Sequence, residues 1–211
     1  MKNENIKRMS TVVRLLTREY PDSKCSLNYE NPFQLLVATI LSAQCTDERV
    51  NKVTSPMFKK YKDAKDFDSL PLSKIKQLVF STGFYNNKAK SIKKLSKIIC
   101  EKFNNKTPDN INELVELPGV GRKTANVLLG TYYNIPSIVV DTHVTRIVNL
   151  LGFCKTRNAV IIERELSKII NKKHWVKFTH LIIDHGRKVC IANRPKCEVC
   201  IIKDLCPSAI K

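Results

Sequence analysis

The chain has 211 residues, 43% of them hydrophobic, and sets 37 Lys and Arg against 19 Asp and Glu for a formal net charge of +18. That is enough apolar material for one large domain or two small ones, and with no run of about eighteen apolar residues a membrane-spanning helix is not expected. The opening MKNENIKRMS lacks the apolar centre of a secretory signal, so the expected setting is a reducing cytoplasm, and the charge points to a polyanion, nucleic acid first.

Lysine supplies 27 of the 37 basic residues, which a compositional bias also produces, so the charge does not name the partner alone. Helical periodicity recurs along the chain and alternating strand patterns are rare, which predicts an all-α fold. Ile6, Met9, Val13 and Leu16 form an apolar stripe at spacings of three and four, a first helix. Asn31-Pro32 offers a cap and a first-turn proline to PFQLLVATILSAQ, whose nearly continuous apolar character predicts a helix buried on most sides. Thr46 can cap the next helix and Ser73 the segment KIKQLVFST, which Gly83 punctuates. In KAKSIKKLSKIICEKF, Ile92, Leu95 and Ile98 share a face opposite lysines. INELVEL then leads into a glycine turn, and RKTANVLLGTYY resumes the helical pattern. SIVV reads as a buried connection before a helix starting near Asp141 or Thr142 and running through Val144, Ile147 and Leu150. Two more helices, NAVIIERELSKII and WVKFTHLIIDHGRKVC, follow.

Three motifs carry chemistry. In Leu117-Pro118-Gly119-Val120-Gly121 the two glycines can adopt left-handed or crowded conformations, making a tight turn between helices. Such a turn either simply connects its helices or presents the first amides of the next one to a phosphate, aided by the helix dipole. Arg122 and Lys123 in the first turn favour the second reading. Lys123 is a solvated phosphate contact or, with burial, Arg122 and the positive helix end favouring its neutral amine, a nucleophile. Asp141, at the edge of the apolar Ile138-Val139-Val140, is a helix cap, a carboxylate that stabilises developing positive charge, or both. His143 reads as a polar support rather than a catalyst.

The third motif is Cys190, Cys197, Cys200 and Cys206, with Arg194 and Lys196 in the first gap. Four closely spaced thiols form a ligand set, and donor chemistry leaves structural zinc and an iron-sulfur cluster equally open. The other four cysteines, Cys25, Cys45, Cys100 and Cys154, have no close mutual spacing and are expected to be free and buried.

Taken in order, LPGVGRKTANV, VDTHV and the cysteine quartet, with LLVATILSAQCTD and GFYNNKA, make nearly the whole chain resemble the endonuclease III family of bifunctional base-excision DNA glycosylases. The adenine-mismatch glycosylases share hairpin and cluster but lack this lysine and usually carry a further C-terminal domain, which disfavours them. The resemblance implies two helical domains, residues 24–135 with the helix-hairpin-helix and residues 1–23 plus 136–211 with a C-terminal 4Fe-4S cluster loop, gripping damaged duplex DNA in the cleft between them. It further implies removal of oxidised pyrimidines, Lys123 attacking C1′ of a flipped nucleotide with help from Asp141, and β-elimination on the 3′ side of the resulting abasic site. By the same likeness, Gly119, Val120, Gly121 and Arg122 contact DNA, and Gln44 fills the gap left by the flipped nucleotide. Phe84 stands where the family commonly has Leu as a wedge, and Cys45 where a small residue is common. Cys190, Cys197, Cys200 and Cys206 become ligands of one 4Fe-4S cluster, with Arg194 and Lys196 offered to phosphates. The expected working form is a cytoplasmic, nucleoid-associated monomer. The competing class is a non-catalytic, metal-stabilised DNA-binding protein, with a redox carrier third.

Overall fold

A computed structural model describes residues 2–210, and among them the regular structure is entirely helical. The helices are α1 (Lys2–Glu19), α2 (Pro32–Leu41), α3 (Asp47–Lys60), α4 (Ala64–Ser69), α5 (Leu72–Val79), α6 (Tyr85–Phe103), α7 (Ile111–Glu116), α8 (Arg122–Thr131), α9 (Thr142–Leu150), α10 (Ala159–Ile169) and α11 (Trp175–Lys188). Short 3-10 turns lie at Phe80–Thr82, Lys172–His174, Cys197–Val199 and Lys203–Leu205. The chain divides into two compact units, residues 1–25 with 136–211 and residues 26–135.

Unit 26–135 is built around α2, eight of whose ten residues are buried. Asn31 starts it by accepting the Gln34 amide at 2.9 Å, with Pro32 in the first turn where its missing N–H costs nothing. Thr46 likewise caps α3 through the Arg49 amide at 3.3 Å. α6 packs against α4 and α5 and buries Ile92, Leu95 and Ile99 completely. Ile92 and Leu95 lie on the apolar face expected from sequence, which continues at Ile99, while Ile98 is half-buried. Ser73 lies inside α5, whose start is at Pro71 and has no side-chain cap.

In the other unit Met9, Val13 and Leu16 of α1 join Val144, Ile147 and Val148 of α9 and Phe178, Leu181 and Ile182 of α11 in one core, while Ile6, expected on the same stripe, is exposed. The SIVV segment is a buried connection and not a strand. Its Val139 amide and carbonyl are both satisfied by Thr179 Oγ1 on α11, at 3.1 and 3.3 Å, so no ladder is needed. Gly186, within α11, leaves room for His143: a Cβ there meets His143 Nδ1 at 2.6 Å.

Candidate nucleic-acid interface and cysteine centre

The glycine turn joins α7 to α8 within unit 26–135. Gly119 has φ +83°, and a Cβ on it falls 2.7 Å from Ser91 Cβ, so both backbone and packing demand glycine. Gly121 is different. It occupies the N-cap of α8 in extended conformation, and a Cβ there meets nothing within 4 Å, which corrects the expectation that both glycines are crowded. The Val120 amide closes the turn on Leu117 O at 3.0 Å and its side chain is buried. Any contact made by Val120 with DNA thus runs through its carbonyl or the turn it shapes, not its side chain or amide.

α8 begins without a side-chain cap, because Gly121 has none to offer. A helix start leaves its first amides without intrahelical partners, and here they follow a bare glycine beside exposed Arg122 and Lys123. Lys123 is exposed, which agrees with its reading as a solvated contact and removes the burial invoked for it as a nucleophile.

Asp141 is half-buried and caps α9, its Oδ1 accepting the Val144 amide at 2.8 Å. The cap fixes the carboxylate's orientation and uses only part of its acceptor capacity. Lys123 and Asp141 belong to different units.

Gln44 and Phe84 stand on two loops of unit 26–135. Both are exposed, and both take the left-handed backbone conformation, φ +53° and +48°, that residues with a Cβ rarely adopt. Phe80, also exposed, packs its ring 4.7 Å from that of Tyr85, next to Phe84; an apolar residue in a helix pattern gave no sign of this from sequence. Lys88 is another side chain that the sequence did not single out. It is 6% exposed, and its ammonium donates to Leu41 O at 2.8 Å and Thr82 O at 2.7 Å.

The four C-terminal cysteines line one cavity of about 220 Å³, walled otherwise by side chains such as Ile147, Leu151 and Ile202. Among the described residues no three His, Cys, Asp or Glu side chains converge closely enough to hold a single metal ion. Arg146 of α9 donates to Cys190 O at 2.6 Å and stands 3.5 Å from its Sγ. His185 bridges Tyr20 Oη, 3.2 Å from Nδ1, and Cys200 Sγ, 3.6 Å from Nε2. Burial, reinforced by Arg146, holds His185 down at about 4, so its ring is neutral at ordinary pH and gives one nitrogen to each neighbour. Arg194 and Lys196 are exposed on the segment between Cys190 and Cys197. Of the remaining cysteines, none of them in a disulfide, only Cys154 is buried; Cys25, Cys45 and Cys100 are half-buried, contrary to expectation.

Two helices joined by a glycine turn, the second with an uncapped start, in a chain whose described regular structure is helical, make a helix-hairpin-helix arrangement. The chain belongs to the HhH-GPD superfamily of base excision DNA repair proteins, whose family model matches residues 37–172. Within it, the chain is 47% identical to the endonuclease III of a Synechocystis species over 203 residues, 96% of this chain and 93% of that one. Two solved structures are similarly alike, each 41% identical and covering 97% of this chain and 96% of the other. One is a non-covalent endonuclease III–DNA complex, with a TM-score of 0.92, and the other a trapped endonuclease III–DNA covalent intermediate, with a TM-score of 0.91. The activity this membership defines is that of a base excision DNA glycosylase.

Proposed function

We propose that the protein removes oxidised pyrimidines from duplex DNA and cuts the strand at the abasic site, with Lys123 as nucleophile. The observation that carries the reading is Lys123 in the first, uncapped turn of α8, directly after the glycine turn. There a phosphate held by the turn places a sugar within reach of the amine. Lys123 Nζ bonds to C1′ as the glycosidic bond breaks and the base leaves with a proton. The C1′–O4′ bond then breaks, O4′ taking up a proton, to open the sugar ring and leave a protonated Schiff base that acidifies C2′; loss of a C2′ proton expels the 3′ phosphate, and water releases the lysine. Because Lys123 is exposed, its desolvation has to come from the DNA that covers it. Asp141, oriented by its cap, is assigned to stabilise positive charge on the sugar and to assist the amine. That a similar protein has been trapped as a covalent intermediate with DNA supports the route.

Gln44 and Phe84 are assigned to the gap and to the step beside a flipped nucleotide, where a flat side chain favours unstacking. Gly119, Val120, Gly121 and Arg122 are assigned to phosphate binding, and Arg194 and Lys196 to a second backbone contact. The four cysteines fit a 4Fe-4S cluster. A single zinc needs each sulfur about 2.3 Å from one centre, whereas these thiols surround a cavity of about 220 Å³ and do not converge. Cys190, Cys197, Cys200 and Cys206 would hold the cluster, and as thiolate ligands they would tie the loop carrying Arg194 and Lys196 to the end of α11. The two units are proposed to act as domains of one monomeric enzyme.

Borohydride trapping on duplex DNA with one thymine glycol tests the proposal. A covalent adduct is expected, and Lys123→Ala should abolish it, lowering base removal by at least about a thousandfold while duplex affinity persists. Intact DNA binding with no adduct on thymine glycol or on an abasic site would leave a non-catalytic binder in its place.

A further inference from the structure

Lys88 lies one turn into α6 in a lysine-rich stretch whose other members reach solvent or its edge. Its ammonium turns inward and is held by two main-chain carbonyls, neither of them part of a carboxylate. Leu41 is the last residue of α2, three before Gln44, and its carbonyl is among those that a helix end leaves without an intrahelical donor. Thr82 closes the 3-10 turn two residues before Phe84, and its own hydroxyl is tied to Val79 O at 2.8 Å. One buried cation therefore joins the roots of two loops that are more than forty residues apart in sequence (|i−j| = 47 for Lys88 and Leu41). At the tip of each root stands an exposed side chain on a left-handed backbone, Gln44 on one and Phe84 on the other.

We propose that Lys88 is a positioning residue for nucleotide flipping: it locks the Gln44 and Phe84 loops to each other so that both side chains enter the duplex as one rigid, two-pronged wedge. The inference rests on the reading of Gln44 and Phe84 as the residues that enter DNA. Two independent loops each lose conformational freedom on insertion, while a pair already tied together meets the unstacking step preorganised. The left-handed conformations at both tips are strained and persist only where the surroundings over-determine them, and the shared ammonium provides that constraint. Its cost is visible in the free protein: burial pushes the Lys88 ammonium below its ordinary range, opposed by Cys45, the neighbour of Gln44. A methionine fills the same space without that cost, so packing alone does not account for a lysine here.

The test compares cleavage at an abasic site in single-stranded and duplex DNA, using the full chain with its cysteine centre loaded. A single strand has no partner base to leave and no gap to fill. Lys88→Met is expected to slow the duplex reaction by roughly tenfold to a hundredfold, the range for losing charge-assisted hydrogen bonds, and to change the single-strand rate by less than about twofold. The fluorescence of 2-aminopurine opposite the lesion should fall in parallel. Lys88→Arg, which keeps charge and donors, should recover part of the duplex rate. The double variant Lys88→Met/Phe84→Ala should be little slower than Phe84→Ala alone, since both remove one device. Equal slowing on both substrates, an unchanged duplex rate, or full additivity with Phe84→Ala overturns the proposal. Should Lys88→Met fail to fold, Lys88→Gln, which keeps N–H donors on a shorter neutral arm, is judged by the same ratio. If Gln44→Ala and Phe84→Ala both leave the duplex rate unchanged, the wedge reading itself fails, whatever Lys88 does.

Discussion

The glycine turn and the cysteine tail both lack long helices, yet they are held by opposite means. The turn at 117–121 is set by its own unit's packing: Leu117 and Val120 are buried, the Val120 amide closes on Leu117, and Gly119 sits against Ser91 of α6. In the tail beyond α11, residues 189–210, the regular structure is two three-residue 3-10 turns, and Ile202 alone is buried. Four thiols around a cavity replace the missing core. The turn is thus specified by packing, while the longer tail, with a single buried residue, has little core of its own, and bonds made through its thiols would contribute most there.

The largest expected effect that separates the two is removal of one of those thiols. Cys197→Ser is expected to lose the proposed metal centre and destabilise the unit formed by 1–25 and 136–211 by on the order of 5 kcal/mol. Hydrogen exchange read by mass spectrometry should show the tail and the end of α11 unprotected, with α2, α6 and α8 still protected. Equal loss of protection in both units, or none in the tail, would mean that the tail does not depend on its thiols.

Next in size is Gly119→Ala. It forces a Cβ into φ +83° and to 2.7 Å from Ser91 Cβ, and the two penalties together come to about 2–4 kcal/mol. Urea unfolding measures the loss. Shortening Ser91 to Gly in the same chain should return the steric part and leave the backbone part. A Gly119→Ala variant as stable as the parent would show that the turn is not anchored by this contact.

The parts of this architecture that the sequence made legible are those decided within a few residues. Asn31, Thr46 and Asp141 read as caps because a cap bonds an amide only two or three residues on, and each does so here. The all-α class and the family followed from recurrent periodicity and from local motifs with distinctive spacing. What failed depended on tertiary neighbours. The adjacent apolar pair Ile98-Ile99 left the phase of α6 open, and packing against α4 and α5 chose Ile99. The six residues of α4 are too few to show a period. Nothing in KAKSIKK marks Lys88 as different from the lysines around it, since its two acceptors come from elsewhere in the chain. Arg146 and His185 were invisible for the same reason: their ties to Cys190 and Cys200 span 44 and 15 residues.

The smallest effect is the most diagnostic, because it separates what the turn does for the fold from what it does for DNA. At Gly121 a Cβ meets no protein atom within 4 Å, and the N-cap backbone is extended, so an alanine fits without strain. Alanine is a poorer N-cap than glycine, so a stability change within about 0.5 kcal/mol is expected. The added methyl instead occupies open space at the mouth of the uncapped helix, where a phosphate has to approach the amides closely. Affinity for an abasic-analogue duplex should fall by about tenfold, and because a phosphate contact carries no sequence information the loss should be uniform across sequence contexts. Gly119→Ala and Gly121→Ala, two residues apart, then dissociate: the first lowers the melting curve, the second the binding curve. If Gly121→Ala binds as tightly as the parent, the start of α8 is not where the phosphate sits, and Lys123 loses the placement on which its assignment rests.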